Sequence, residues 1–271
     1  MILGMLCFSI IYALYKACGA LLSSAQILCF ANLFSWIFIL PFALKKGISH
    51  LTTHRFPAIL LRTVLGLLSI YCLSKSLQTI SLSETSLLNN TASLFIPLIT
   101  WLIYRIKIPH KLWLGLIIGF IGIFIILRPS LEGVNSGLLF GLASGIAAAG
   151  MLISVQKIAH EPFLRMIFYY FLVFSLIVSP SLFMNLPPIP LTIWLYLATA
   201  GFCMLGAQVC ITKALRYAPA HDVAPFIYLT VIFSGLIDWA IWNNKPDAIA
   251  LCGMVIVILG GVITILRSTP R

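Results

Sequence analysis

The stretch from Ser74 to Trp101 returns at Thr212 to Trp239. Lys75 answers to Lys213, Leu77 to Leu215, Glu84 to Asp222 and Trp101 to Trp239, and Gly115 with Gly253 and Gly122 with Gly260 extend the series, every pair 138 residues apart. Single matches at one offset are common in a chain rich in Leu and Ile. Six that include two lysines, two acids and two tryptophans are not. They imply an internal repeat of about half the chain, which constrains the architecture before any local reading does. The repeated stretch itself reads as the end of one apolar helix, a short turn, and most of the next.

The solvent is the second constraint. Of the 271 residues 61% are hydrophobic and 8% charged, where a soluble domain carries about a quarter charged. A helix needs about 20 mostly apolar residues to cross a bilayer core. Ten such runs follow one another: Ile2–Ala20, Ala25–Leu44, Phe56–Leu77, Ser83–Tyr104, Leu112–Leu127, Ser136–Gln156, Phe163–Met184, Leu191–Thr212, Ala220–Trp242 and Ala248–Leu266. Polar or proline-bearing separators part them, among them Lys45-Lys46-Gly47, Arg128-Pro129 and Pro187-Pro188. No room is left for a soluble domain. The first run has no basic stretch before it and no cleavage site leading into a soluble domain, so it is expected to be a membrane helix and not a signal peptide. The formal charge of +11 is scattered over helix ends and marks no nucleic-acid face. The seven cysteines show no CxxC or metal spacing and suit packing between helices. The five histidines fall in predicted loops without zinc spacing. No GxxxxGK[ST] loop is present for ATP hydrolysis. The expected fold is an all-α integral membrane protein, with no cofactor and no metal.

Lys and Arg in short loops set orientation. With the N-terminus in the cytoplasm, twelve basic residues lie on inner loops and the tail, and four, Lys16, Lys75, Arg128 and Lys245, on outer loops; Arg62 falls within a run. Both termini are therefore expected in the cytoplasm. Each repeat, 1–130 and 135–268, holds five runs. Five is odd, so the second copy enters the membrane upside down: ten transmembrane helices as two inverted five-helix repeats. In carriers, such repeats place the substrate near the midplane where the halves meet, and rocking one half against the other exposes it to each side in turn.

Ten spans in two halves, with Leu60-Leu61-Arg62-Thr63-Val64-Leu65-Gly66, Phe95-Ile96-Pro97-Leu98, Ala214-Leu215-Arg216-Tyr217-Ala218-Pro219, Ala224-Pro225-Phe226-Ile227-Tyr228 and Lys245-Pro246-Asp247 in that order, resemble the EamA branch of the drug/metabolite transporter superfamily over essentially the whole chain. The resemblance implies a secondary transporter in a bacterial inner membrane, its relatives including exporters of amino acids and drugs and importers of riboflavin or S-adenosylmethionine. The chain departs from the pattern at Phe30–Phe34, where an arginine is common, at Arg105-Ile106 and Asn243-Asn244, where Gly-Glu is common, and at Glu84, where a small residue is usual.

Polar side chains within spans face a bundle interior or a wet cavity. At 100° per residue, Ser86, Asn89, Asn90, Ser93 and Thr100 share one sector of span four about 100° wide, with Pro97 among them. That stripe is a candidate substrate surface suited to a neutral or zwitterionic ligand; the plainer alternative is interhelical hydrogen bonding. The equivalent stripe of span nine is Ala224, Tyr228, Val231, Gly235 and Asp238, with Tyr228 as a candidate wall. Gln208 and Arg62 are further candidates for substrate contact, Arg62 having snorkelling as its alternative. Tyr12, Asn32, Trp36, Tyr169 and Tyr170 are candidate liners. Three of the six acids, Glu84, Asp222 and Asp238, could couple a proton or cation. Lys75 with Glu84 outside and Lys213 with Asp222 inside could form alternating gates, or plain hairpin ion pairs with each acid favoured by its helix start.

The expected function is a secondary transporter moving a small organic metabolite by alternating access. Its partners would be the bilayer, a small-molecule substrate and a coupling proton or counter-substrate; nucleic acid is no partner, and the oligomeric state is left open. A channel, a non-transporting assembly subunit and a polytopic membrane enzyme are the alternatives. The last lacks a convergent set of acids, histidines or metal ligands.

Overall fold

The computed structural model describes residues 1–45, 56–105, 110–127, 135–156, 163–180, 187–217, 227–244 and 248–267. Their helices are α1 (Ile2–Cys18), α2 (Ser24–Lys45), α3 (Phe56–Leu77), α4 (Leu82–Asn90), α5 (Ala92–Tyr104), α6 (His110–Leu127), α7 (Ser136–Gln156), α8 (Phe163–Val178), α9 (Leu191–Tyr217), α10 (Leu229–Trp242) and α11 (Ala248–Arg267); no strand occurs among the described residues. Taken with the break in span four closed up, five apolar segments are long enough to cross a bilayer and five are shorter. These are the ten spans. The exposed surface is apolar, with Leu102 at 74%, Phe124 at 65% and Ile241 at 64%, while Ser9, Asn32, Arg62, Thr85, Asn90 and Asp238 are buried. This inversion of the soluble pattern is what lipid demands.

Local chemistry sets the helix ends. Ser81 caps α4 by accepting from the Glu84 N–H, and the Glu84 carboxylate accepts from the Ser81 N–H, a reciprocal capping box. The Ser23 N–H donates to Gln26 Oε1 at 3.0 Å and opens α2 in the same manner. The eighth apolar run was expected to end at Thr212, but α9 continues to Tyr217, because Lys213, Ala214, Leu215 and Arg216 are good helix formers and let it run on past the apolar segment.

Span four is not the continuous helix that its apolar run predicts. It breaks at Thr91 between α4 and α5. Pro97 lacks an N–H for the Ser93 carbonyl and its ring crowds that carbonyl, whereas the Thr91 carbonyl takes the N–H of Leu94 at 2.8 Å and of Phe95 at 3.2 Å. The Ser93 hydroxyl turns back to the Asn90 carbonyl at 3.1 Å. Gly145 of α7 faces the break, where a Cβ would collide with the Leu88 carbonyl; only glycine lets α7 approach so closely.

The repeat is legible in the packing. α3 lies along α7 and α1 along α9, α4 and α5 touch α7 as α10 touches α1, and α2 meets α9 as α3 meets α8; exchanging the two repeats turns each of these pairs into the other. Spans two and seven (α2, α8), four and nine (α4, α10), and five and ten (α6, α11) pack on their own repeat images. The principal contacts thus run between the halves: α3, α4, α5 and α7 pack as one group and α1, α9 and α10 as another.

Candidate functional site

α4 and α10 run antiparallel, and their polar pairs step along one register. Ser93 and Tyr228 hold their hydroxyls 2.6 Å apart. Since the Ser93 proton also has the Asn90 carbonyl as acceptor, the Tyr228 hydroxyl can supply the other bond. The Asn90 amide donates to Thr230 Oγ1 at 2.6 Å and to the Ile227 carbonyl at 3.3 Å. Ser9 of α1 closes this layer by donating to the Thr230 carbonyl at 3.1 Å. One turn further, the register sets Ser86 opposite Ser234; both are fully buried, and neither hydroxyl has a partner among the described residues. Ser83 then lies against Gly235, and at the far end Asp238 receives the N–H of Leu82 at 2.7 Å.

Asp238 is 1% exposed. Its other oxygen takes the Lys16 ammonium of α1 at 2.8 Å, and Lys16 also sits 4.9 Å from the Trp242 ring centroid. A charge buried among apolar helices requires such a partner. Lys16 was assigned to an outer loop, but it lies in the last turn of α1 and ties that helix to α4 and α10. The sequence does hold a signal for it, a lone lysine within the first apolar run facing a lone aspartate within the ninth. Nothing in the order of residues matches them across 222 positions.

The span-four stripe does not face one space. Adjacent residues point 100° apart, and in a packed bundle the two edges of the sector meet different helices. Asn90 and Ser93 face α10, whereas the Asn89 amide donates to Ser144 Oγ of α7 at 3.1 Å and to Ser69 Oγ of α3 at 3.3 Å. Thr100 and Gln208 are half-buried. Glu84 is engaged by its own cap, Ser81 Oγ donating to it at 2.7 Å, and Lys75 is half-buried in the last turn of α3; the hairpin is joined instead by the Ser76 and Thr85 hydroxyls at 3.0 Å. No ion pair links Lys75 to Glu84 among the described residues. Lys213 lies on α9 with its side chain outside the described residues, and Asp222 and Ala224 lie outside them altogether. Arg62 is buried under the ring of Tyr170, whose centroid is 5.1 Å from its guanidinium carbon. Tyr12 is buried, Trp36 packs on Phe168 and Tyr169 on Phe56; Asn32 is buried and donates to its own helix at the Leu28 carbonyl. Thr230, Ser9, Ser234 and Lys16 are site members that the sequence reading did not select.

A groove of about 570 Å³ between α3, α5 and α7 is lined by Leu61, Leu65, Leu68, Ile99, Ile103 and Ala147 among others. Its lining is apolar apart from Ser154, whose hydroxyl donates to the Gly150 carbonyl of its own helix; it suits acyl chains.

The chain is 27% identical over 261 residues to the pseudopaline exporter CntI of Pseudomonas aeruginosa, covering 95% of this chain and 92% of that one. It is 26% identical to an S-adenosylmethionine uptake transporter of Rickettsia bellii, with 90% and 84% covered, and 29% identical to a riboflavin transporter of Vibrio cholerae, with 82% and 76% covered. A crystal structure at 14% identity matches it with a TM-score of 0.65 over 98% of this chain and 97% of that one, a likeness of fold. The model of the EamA-like transporter family matches twice, at residues 1–128 and 135–266, as a repeated unit must. With both repeats matched, the chain belongs to the EamA-like transporter family.

Proposed function

We propose that this protein is a secondary transporter that carries a small organic metabolite across a bacterial cytoplasmic membrane by alternating access, with both termini in the cytoplasm. The observation that carries this reading is the α4–α10 seam. There the same span of each repeat meets its image with hydrogen-bonding side chains on both sides, and it holds two buried hydroxyls, Ser86 and Ser234, that no group among the described residues satisfies. Unsatisfied polar atoms between apolar helices are costly, so they fit water or a solute better than a dry seam. Asn90, Ser93 and Tyr228 would contact the substrate, with Ser86, Asn89, Thr100, Gln208 and Arg62 at its margins. Similarity to carriers of such different solutes supports the class of substrate.

On this reading Asp238 with Lys16 forms the outer gate, since both lie at helix ends placed outside by the count of basic residues. Neutralising Asp238 would release Lys16 and the Leu82 N–H together and so free α1, α4 and α10 from one another. Glu84, Lys75, Asp222 and Lys213 remain proposed as gating groups at the two ends of the repeats.

Counterflow in proteoliposomes tests the reading. Saturable exchange is expected from the wild type and none from Asn90→Leu, with membrane insertion unchanged. Normal uptake by Asn90→Leu would remove the seam from the route, and non-saturating flux in the wild type would make the protein a pore. Where uptake follows a proton gradient, Asp238→Asn is expected to lose that dependence; keeping it would exclude Asp238 as the coupling group.

A further inference from the structure

Arg62 is 7% exposed, and its guanidinium Nε and Nη1 hydrogens have no acceptor among the described residues. The two described carboxylates are engaged elsewhere, Glu84 by Ser81 and Asp238 by Lys16 and Leu82. Tyr170 lies face-on beneath the charge, and Gly66, one turn on, gives its ring room against α3, where a Cβ would stand 3.1 Å from it. The core cluster that contains Tyr170 also holds the Tyr15 hydroxyl, and Trp36 packs against it; both the Tyr15 hydroxyl and Trp36 Nε1 are buried without a partner. Serine hydroxyls apart, the unmatched buried atoms of the described residues are these donors and one acceptor, Asn32 Oδ1. The Tyr15 hydroxyl can accept as well as donate, but the Arg62 guanidinium only donates, and an unmatched buried cation is the complement of an anion that only accepts. Arginine's planar fork matches a carboxylate in geometry, and the aromatic face holds the cation in place while the site is empty.

We propose that Arg62, set on Tyr170, is the carboxylate anchor of the transport pathway and that the substrate class is organic acids or zwitterions carrying a free carboxylate. This rests on the carrier reading above and adds the group by which the solute is chosen.

The test is thermal stabilisation of the purified full-length protein in detergent by matched pairs that differ in one carboxylate: S-adenosylmethionine and its decarboxylated form, tryptophan and tryptamine, methionine and methioninamide. At least one carboxylate is expected to bind ten-fold or more tightly than its partner, and Arg62→Gln is expected to bring that ratio within two-fold. Ligand-free Arg62→Gln is expected to unfold at the same temperature as the wild type or higher, because an unmatched buried cation has been removed; Arg62→Lys should keep part of the discrimination. Equal stabilisation by both members of every pair, none at all included, overturns the proposal. So does an unchanged ratio in Arg62→Gln, and so does a lowered ligand-free midpoint, which would show that Arg62 holds the bundle together. If Asn90→Leu transports normally while Arg62→Gln loses discrimination, the seam reading falls and the anchor stands.

Discussion

At the scale of single residues, the buried Lys16–Asp238 pair is the decisive contact, because it joins three helices through one carboxylate. Removing one partner of a buried ion pair leaves the other uncompensated and costs about 3–5 kcal/mol. Lys16→Met is therefore expected to lower the thermal midpoint in detergent, as is Asp238→Leu. The double variant should recover much of the loss, since two apolar groups replace two charges. It should not recover all of it. The Leu82 N–H would still lose its acceptor, about 1–3 kcal/mol for a buried donor. A cycle of the four proteins measures the coupling, and strictly additive losses would show that the pair is not made. Asp238 was legible in the sequence as a charge within an apolar run. Its pairing with Lys16 was not, because only folding shows that α1 ends beside α10.

At the scale of elements, the break in span four and the glycine contacts of α11 shape the seam. A Cβ on Gly260 would strike the backbone of Gly119, and one on Gly261 the hydroxyl of Tyr228. The two substitutions are expected to differ in kind. Gly260→Ala forces α6 and α11 apart and should destabilise by about 1–3 kcal/mol, the range for overpacking. Gly261→Ala shifts a side-chain tip and parts Tyr228 from Ser93, so uptake should fall more than stability. Thermal midpoints and initial uptake rates measured on both variants separate these effects. Equal uptake in Gly261→Ala and the wild type would take the Tyr228–Ser93 bond out of the mechanism. The polar stripe of span four was legible from its 100° spacing. Its division between α7 and α10 was not, since a helical wheel does not say where one neighbour stops and the next begins.

At the scale of the molecule, the halves interlock. α3 rests on α7 and α1 on α9, so neither half keeps its buried faces when alone. Chains 1–130 and 135–271 expressed separately are expected to be degraded, and co-expressed to assemble and to co-purify; a half that accumulates by itself in detergent would contradict that packing. Reporter fusions test orientation. A fluorescent protein at either terminus should mature in the cytoplasm, and alkaline phosphatase at either terminus should be inactive.

Hydrophobicity and the spacing of six residue pairs were enough, without coordinates, to establish ten spans, two repeats and their opposed insertion, because lipid leaves the backbone no choice but helix and an odd span count inverts the second copy. Which side chains meet was settled only by the tertiary structure. Asn90 with Thr230, Ser93 with Tyr228 and Lys16 with Asp238 are 135 to 222 residues apart. Their pairing depends on the register and rotation of packed helices, and apolar runs facing uniform lipid do not specify either.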